Sequence, residues 1–213
     1  MDLKSNLSKR DRAYYSLCNH IYITQFRDQV ILLDTKKDKY AICSQSSADI
    51  LLKVVHNKAF IESDRDTLQT LTNARIIQCQ NTPYSFYTDC KVGSVGVSNV
   101  DWRLPLNEQE VSLGLPVVMA LLRLLQVNFY IKFLGFHKAI QLIKRARKKN
   151  VDYIIPGDEE LKQLTSIVNK ACLIYPSRTK CLEWAMTYVL LALQKGWKCN
   201  LEIGVQNYPF MAH

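Results

Sequence analysis

Cys181 heads the run "RTKCLEWAMTYVLLALQKG", in which Leu182, Ala185, Met186, Val189, Leu190 and Leu193 recur at the three-four spacing of one helical face. Ser177 or Thr179 is placed to cap that helix, and Gly196 to end it. The cysteine therefore falls in the first helical turn. Unpaired backbone N–H groups and the positive end of the helix macrodipole there favour a thiolate over a thiol. Arg178 and Lys180 add positive charge, and the same N–H groups can hold an oxyanion when sulfur attacks a carbonyl. Downstream, "WKCNLEIGV" puts Trp197, Cys199, Leu201, Ile203 and Val205 on one face of an expected strand. "QNYPF" reads as a turn, and His213 as the start of another strand. A helix-borne thiol packed against a sheet that carries an imidazole has the parts of a thiol hydrolase. The imidazole takes or holds the thiol proton and then delivers it to the leaving amine. A second reading stands beside this one: Cys181 as a small apolar residue in a core, where free cysteines are common, and His213 as a structural histidine.

The other candidates for chemistry are poorer. Cys18, Cys43, Cys79, Cys90, Cys172 and Cys199 lack a comparable setting, and His20, His56 and His137 have no evident partner in the sequence pattern. No CxxC and no Cys/His spacing of zinc-site form occurs, so no structural metal is expected. An odd set of seven cysteines, with a polar N-terminus that lacks a signal-peptide core, fits reduced thiols in a cytoplasm. The formal net charge of +9 points to an acidic partner: nucleic acid, a membrane surface or an acidic peptide.

The elements that must position these residues divide the chain. At 213 residues, 48% hydrophobic and 22% charged, it can bury a core as one large domain or two small ones. Residues 20–43 predict three short strands, with Ile21 and Ile23 in the first, "VILLD" as the second and "YAIC" after the polar turn "TKKDK". A helix follows, capped by Ser44, Ser46 or Ser47, with Ile50, Leu51, Val54 and Val55 on its apolar side. Another is expected in "DRDTLQTLTNARIIQ", with Leu68, Leu71 and Ile76 along one face. Turn formers collect from Asn81 to Glu110, which reads as a linker.

Beyond the linker, residues 115–149 form a long helical stretch with Pro116 at a first-turn position. Its apolar part approaches the length of a membrane span, but Arg123, Gln126, Asn128 and Lys132 interrupt it. A buried helix pair is the expectation, with an interfacial or partner-facing helix as the alternative. Lys144, Arg145, Arg147, Lys148 and Lys149 end it, either to hold phosphates or as a solvated helix terminus that meets the macrodipole. A further helix starts near Asp158, carries Leu161, Leu164, Ile167, Val168 and Cys172 on one face, and stops at Pro176.

The stretch from Arg178 to His213 resembles the C-terminal segment of lasso peptide biosynthesis B proteins, of the microcin-maturation type. The matching features are the Cys181-Leu182 pair, the apolar helix, the strand "GWKCNLEIGV" at 196–205 and "PFMAH" with Pro209, Phe210 and His213. The N-terminal strands and helices are similar in order to the precursor-recognition element of ribosomal peptide maturation enzymes, although "NKAFIESDRD" shows little periodicity where its second helix belongs. The resemblance implies an α+β protein. A small winged-helix-like domain of three antiparallel strands and helices would occupy residues 15–80, with a linker at 81–110. A transglutaminase-like, papain-like cysteine protease domain, helix-rich with a short antiparallel sheet, would occupy 111–213.

The implied activity is that of a leader peptidase in lasso peptide maturation. The leader would add as a strand beside Lys39 to Cys43 and against the helix Asp66 to Ile77, with Lys39, Tyr40, Ile42, Leu68, Leu71 and Arg75 as lining candidates. Ile42 and Leu71 can equally face the core. Cys181 would attack the leader–core carbonyl, His213 would protonate the departing core amine, and water would hydrolyse the thioester. No metal or organic cofactor is implied. The core peptide would pass to a partner cyclase resembling asparagine synthetase. The resemblance further implies an Asp on a strand after the histidine; the sequence ends at His213, so either the protein is longer or the enzyme is impaired, and an end at an expected strand start favours the longer protein. It places the protein in the bacterial cytoplasm, where contact at the periphery of the inner membrane is a further option that is not predicted, and where no nucleic acid is expected. Two rival readings are a winged-helix nucleic-acid binder and a catalytically impaired adaptor that presents precursor to a cyclase.

Overall fold

The computed structural model describes residues 14–85, 113–148, 152–207 and 210–212. The chain separates into two units, Met1–Val95 and Gly96–His213, a division that falls inside the expected linker.

In the first unit, β1 (Tyr14–Leu17), β2 (Ile21–Phe26), β3 (Gln29–Asp34) and β4 (Lys39–Ile42) are followed by α1 (Gln45–Val55), a 3-10 turn (Glu62–Asp64), α2 (Arg65–Asn73) and β5 (Ile77–Gln80). The expected three strands form an antiparallel meander β2-β3-β4. Its second turn is held by Asp34, whose Oδ1 accepts from the Lys36 N–H (3.0 Å) and the Lys37 N–H (3.2 Å). The continuous apolar run of β3 puts it in the middle of the sheet, with Val30 and Leu32 packed on α1 through Ile50, Leu51 and Val54. Ser44 caps α1, its side chain accepting from the Ser47 N–H. β1 and β5 pair antiparallel, an element absent from the sequence reading because "YYSL" has no clear alternation.

Two expectations need correction here. The segment "NKAFIESDRD" supplies a 3-10 turn in place of a second α-helix. The helix expected over Asp66 to Ile77 stops at Asn73, because Arg75 takes φ +57 and cannot continue a right-handed turn. The Ile76 N–H returns to the Leu71 carbonyl (2.9 Å) and the Arg75 N–H to that of Thr72 (2.9 Å), a Schellman ending with arginine where glycine is usual. Ile77 then enters β5.

Lys53 on α1 reaches Asp64 Oδ2 at 2.7 Å, and the same oxygen accepts from the Ile61 N–H at 2.9 Å. These bonds, the lysine's first, hold the Asp64 carboxyl below its ordinary value. At Asp34 burial works against the charge, but the N–H groups of Lys37 and Lys36 outweigh it and the carboxyl is again lowered. Lowered folded values mean that stability from both is present above the unfolded-state value of about 3.9. It is lost as pH falls through the lower folded values. Urea midpoints of the full chain are therefore expected to drop below pH 4, and Asp64→Asn is expected to flatten that drop.

The second unit contains α3 (Leu115–Phe129), a π turn (Tyr130–Leu134), α4 (Phe136–Ala146), α5 (Asp158–Ile174), α6 (Cys181–Gln194), β6 (Val205–Asn207) and β7 (Phe210–Ala212). The long helical stretch is broken at Gly135, whose φ of +83 turns the chain between α3 and α4. Small residues let α3, α5 and α6 approach closely: Ala120, Val168 and Ala171 are fully buried beside Leu124, Leu164 and Leu191. A second apolar group, with Val127, Ala139, Ile143, Met186, Val189 and Leu190, joins α3 and α4 to α6.

The expected strand over 197–205 is corrected to Val205–Asn207, with Phe210 in β7 instead of the turn. Trp197 makes a parallel bridge to Ile154, through Ile154 N–H to Gly196 O (3.0 Å) and Lys198 N–H to Ile154 O (2.8 Å). Its indole is buried, and Cys199 and Leu201 pack on the helices. The alternation at 197–201 therefore records side chains packing from an irregular segment, not a sheet.

Candidate functional site

Cys181 is the first residue of α6, and the preceding Lys180 has the extended backbone of an N-cap (φ −89, ψ 161). The expected caps Ser177 and Thr179 do not serve. Glu183 does: its carboxylate is buried and accepts from the Lys180 N–H at 2.8 Å, which satisfies one of the orphan donors at the helix start. This is half of a capping box. The spacing was visible in "KCLE", but a lysine at the cap position hid it.

Further bonds fix the start of α6. The Trp184 N–H donates to Lys180 O (3.0 Å), the Thr187 hydroxyl to Glu183 O (2.7 Å), and the Trp184 indole Nε1 to Asn169 Oδ1 on α5 (2.8 Å). The indole bond ties the first turn of α6 to α5, and Trp184 stacks on Tyr188 one turn further along α6 (5.3 Å between centroids). Glu183→Ala is expected to cost about 1 kcal/mol of unit stability, the scale of a lost N-terminal cap, read as a lower urea midpoint at unchanged slope.

Cys181 itself is half-buried. Four other cysteines are poor nucleophiles, because burial pushes the thiols of Cys18, Cys43, Cys172 and Cys199 up. At Cys172 the Glu183 charge adds to burial and the Thr179 hydroxyl partly offsets it. Cys79 is exposed in β5, away from any helix start. Cys90 lies outside the described residues. Among the described cysteines, then, only Cys181 combines a first-turn position with access to solvent.

The expected base, His213, also lies outside the described residues. β6 and β7 form an antiparallel hairpin, paired from Val205↔Ala212 to Asn207↔Phe210, that runs to the residue before it. At the other expected site, β4 is the edge strand of its sheet. Lys39 is exposed, Tyr40 half-buried and Ile42 49% exposed, so Ile42 does not face the core. Leu71 does: at 4% exposure it is a core residue and cannot line a groove. Leu68 packs against that core in part, and Arg75 is exposed in the turn after α2. Within the basic run, Arg147 donates to Cys199 O (2.8 Å) and Asn200 Oδ1 (2.6 Å), which fastens the end of α4 to the segment after α6. Among the described residues no cluster of His, Cys, Asp and Glu could hold a metal ion.

Residues 123–213 match the sequence profile of the transglutaminase-like superfamily. The match covers less than half of the chain and lies within the second unit, from α3 through the β6–β7 hairpin. It includes both Cys181 and His213. No curated protein and no solved structure matches the chain.

Proposed function

We propose, from a transglutaminase-like domain that carries Cys181 and His213, that the chain is a cysteine peptidase that removes the leader from a lasso-type precursor peptide. The observation that carries this reading is Cys181 at the first position of α6, inside the matched residues. Such domains support cysteine protease-like or acyl-transfer chemistry; the choice of a leader peptide rests on the resemblance of the residues around Cys181 and His213.

In this reading the Cys181 sulfur forms a bond to the scissile carbonyl carbon, and first-turn N–H groups of α6 take up the oxyanion. His213 gives its proton to the core amine as the C–N bond breaks, leaving a leader thioester. Water, activated by the same imidazole, then hydrolyses the thioester and restores the thiol. Incubating the protein with a precursor peptide and weighing the products tests this: two fragments split at one junction are expected, and intact precursor with a folded protein would count against it.

The leader would bind at the open edge of β4. The Cys43 N–H donates to Val30 O (2.9 Å), and antiparallel bonds alternate, so Lys39 and Ala41 face β3. The backbone of Ile42 then points away from the sheet, as strand addition requires. Ile42→Pro removes that outward donor without touching the ladder. It is expected to weaken leader binding by about tenfold or more, measured by fluorescence anisotropy of a labelled leader, with little change in melting temperature.

The nucleic-acid alternative is disfavoured by where the charge sits. In a winged-helix reader α2 would enter the groove, yet it has one basic residue, Arg65, balanced by Asp66.

A further inference from the structure

We infer that the outward face of α3, together with the basic helix after it, docks on an anionic membrane surface. At 100° per residue, Leu115, Val118, Met119, Leu122, Leu125 and Phe129 fall within one arc of about 120°, interrupted only by half-buried Gln126, which is engaged with Arg123. All of them are exposed, Leu122 at 60%, and Phe133 in the π turn continues the stripe at 74%. The opposite arc carries Val117, Ala120, Leu124 and Val127, all buried against α5, α6 and α4. Sixteen large apolar residues are exposed among the described residues, and nine of them lie between Leu113 and Leu134. The stripe is about 27 Å long, from the 1.5 Å rise per residue. A contiguous apolar surface of that size marks an interaction site.

The charge beside it selects the partner. From Val111 to Asn150 the sequence has eight Lys and Arg residues and no Asp or Glu. Lys132 sits next to Phe133, and Lys138 and Arg145, two turns apart on α4, are both exposed. An apolar helix face whose own helix and the next carry cations and no acid is the pattern of an interfacial helix on anionic lipid, the acids Asp158, Glu159 and Glu160 belonging to the start of α5. A second copy meeting the same face would bring like charges together. Leu115–Leu134 is long and apolar enough by composition to span, but the packing of α3 favours a helix that lies on the surface. Its inner face packs on the bundle, buried Asn128 donates back to Leu124 O (3.4 Å), and Arg123 is held at the side by Gln126 (2.7 Å).

Sedimentation of the full chain with vesicles tests the inference. Binding to vesicles of three parts phosphatidylcholine to one part phosphatidylglycerol is expected to be about tenfold tighter than to phosphatidylcholine alone, and to weaken with salt. The double variant Leu122→Glu, Phe129→Glu is expected to lose about tenfold or more on both vesicles. Lys138→Glu with Arg145→Glu is expected to lose binding only on the anionic ones. All four side chains are exposed, so thermal melting should stay as in the wild type. Cys181→Ala should bind vesicles unchanged, which separates this surface from the peptidase reading. A folded wild type that ignores both vesicles overturns the inference. So does equal binding to the two, or a wild-type dimer that Leu122→Glu, Phe129→Glu splits.

Discussion

Cys181→Ala is expected to lower precursor cleavage by about ten thousandfold or more, with thermal melting shifted by less than about 1 kcal/mol equivalent. The size follows from chemistry: the sulfur is the atom that forms the covalent bond, so removing it takes away a whole pathway instead of one stabilising contact. No other described thiol can stand in, because burial pushes the thiols of Cys18, Cys43, Cys172 and Cys199 up and Cys79 sits in strand β5 with no helix start to activate it. The fold should tolerate the change. Cys181 is half-buried in a first turn that Glu183 and Trp184 fix, and alanine is a good helix former. Cys181→Ser, with a far weaker nucleophile of similar shape, should fall nearly as far. Cleavage assays on both, beside melting curves, check this; full turnover by Cys181→Ala places the nucleophile elsewhere.

Met186→Ala is expected to be the most damaging single truncation in the second unit, at about 2–5 kcal/mol. Met186 is fully buried one turn beyond the site, where α6 meets α3 and α4, among Val127, Ala139, Ile143 and Leu190. Its removal leaves a cavity that three helices cannot close without moving. Calorimetry should show the transition of the second unit lowered by about 10 °C or more. The first unit's transition should hold, since its core around Leu51 and Val54 shares no side chain with this cluster. Leu51→Ala, fully buried in the first core, should do the converse. Equal shifts of both transitions by either variant would mean that the units unfold as one.

The position of Cys181 was legible because α6 has two independent signals: a three-four apolar face and Gly196 after it, which takes φ +77. The meander β2-β3-β4 and Ser44 at the start of α1 were legible for the same reason, pattern and turn chemistry agreeing. What misled was local chemistry of the wrong type. Arginine at position 75 hid a Schellman ending that glycine would have announced, and lysine at position 180 hid the Glu183 cap. The alternation from Trp197 to Leu201 was that of a strand, but Trp197 uses its side chain to fill a helical core. α3 is apolar around most of its circumference, so its spacing does not say which arc is buried; the packing of α5 and α6 decides that.

The most direct measurement is the intact mass of the protein, acid-quenched during turnover of a precursor peptide and then digested to locate any adduct. A leader-sized mass on the peptide containing Cys181, labile to hydroxylamine as a thioester is, and absent from Cys181→Ala, is the expected result. Cleaved precursor with no adduct at Cys181, and with cleavage undiminished in Cys181→Ala, would contradict it.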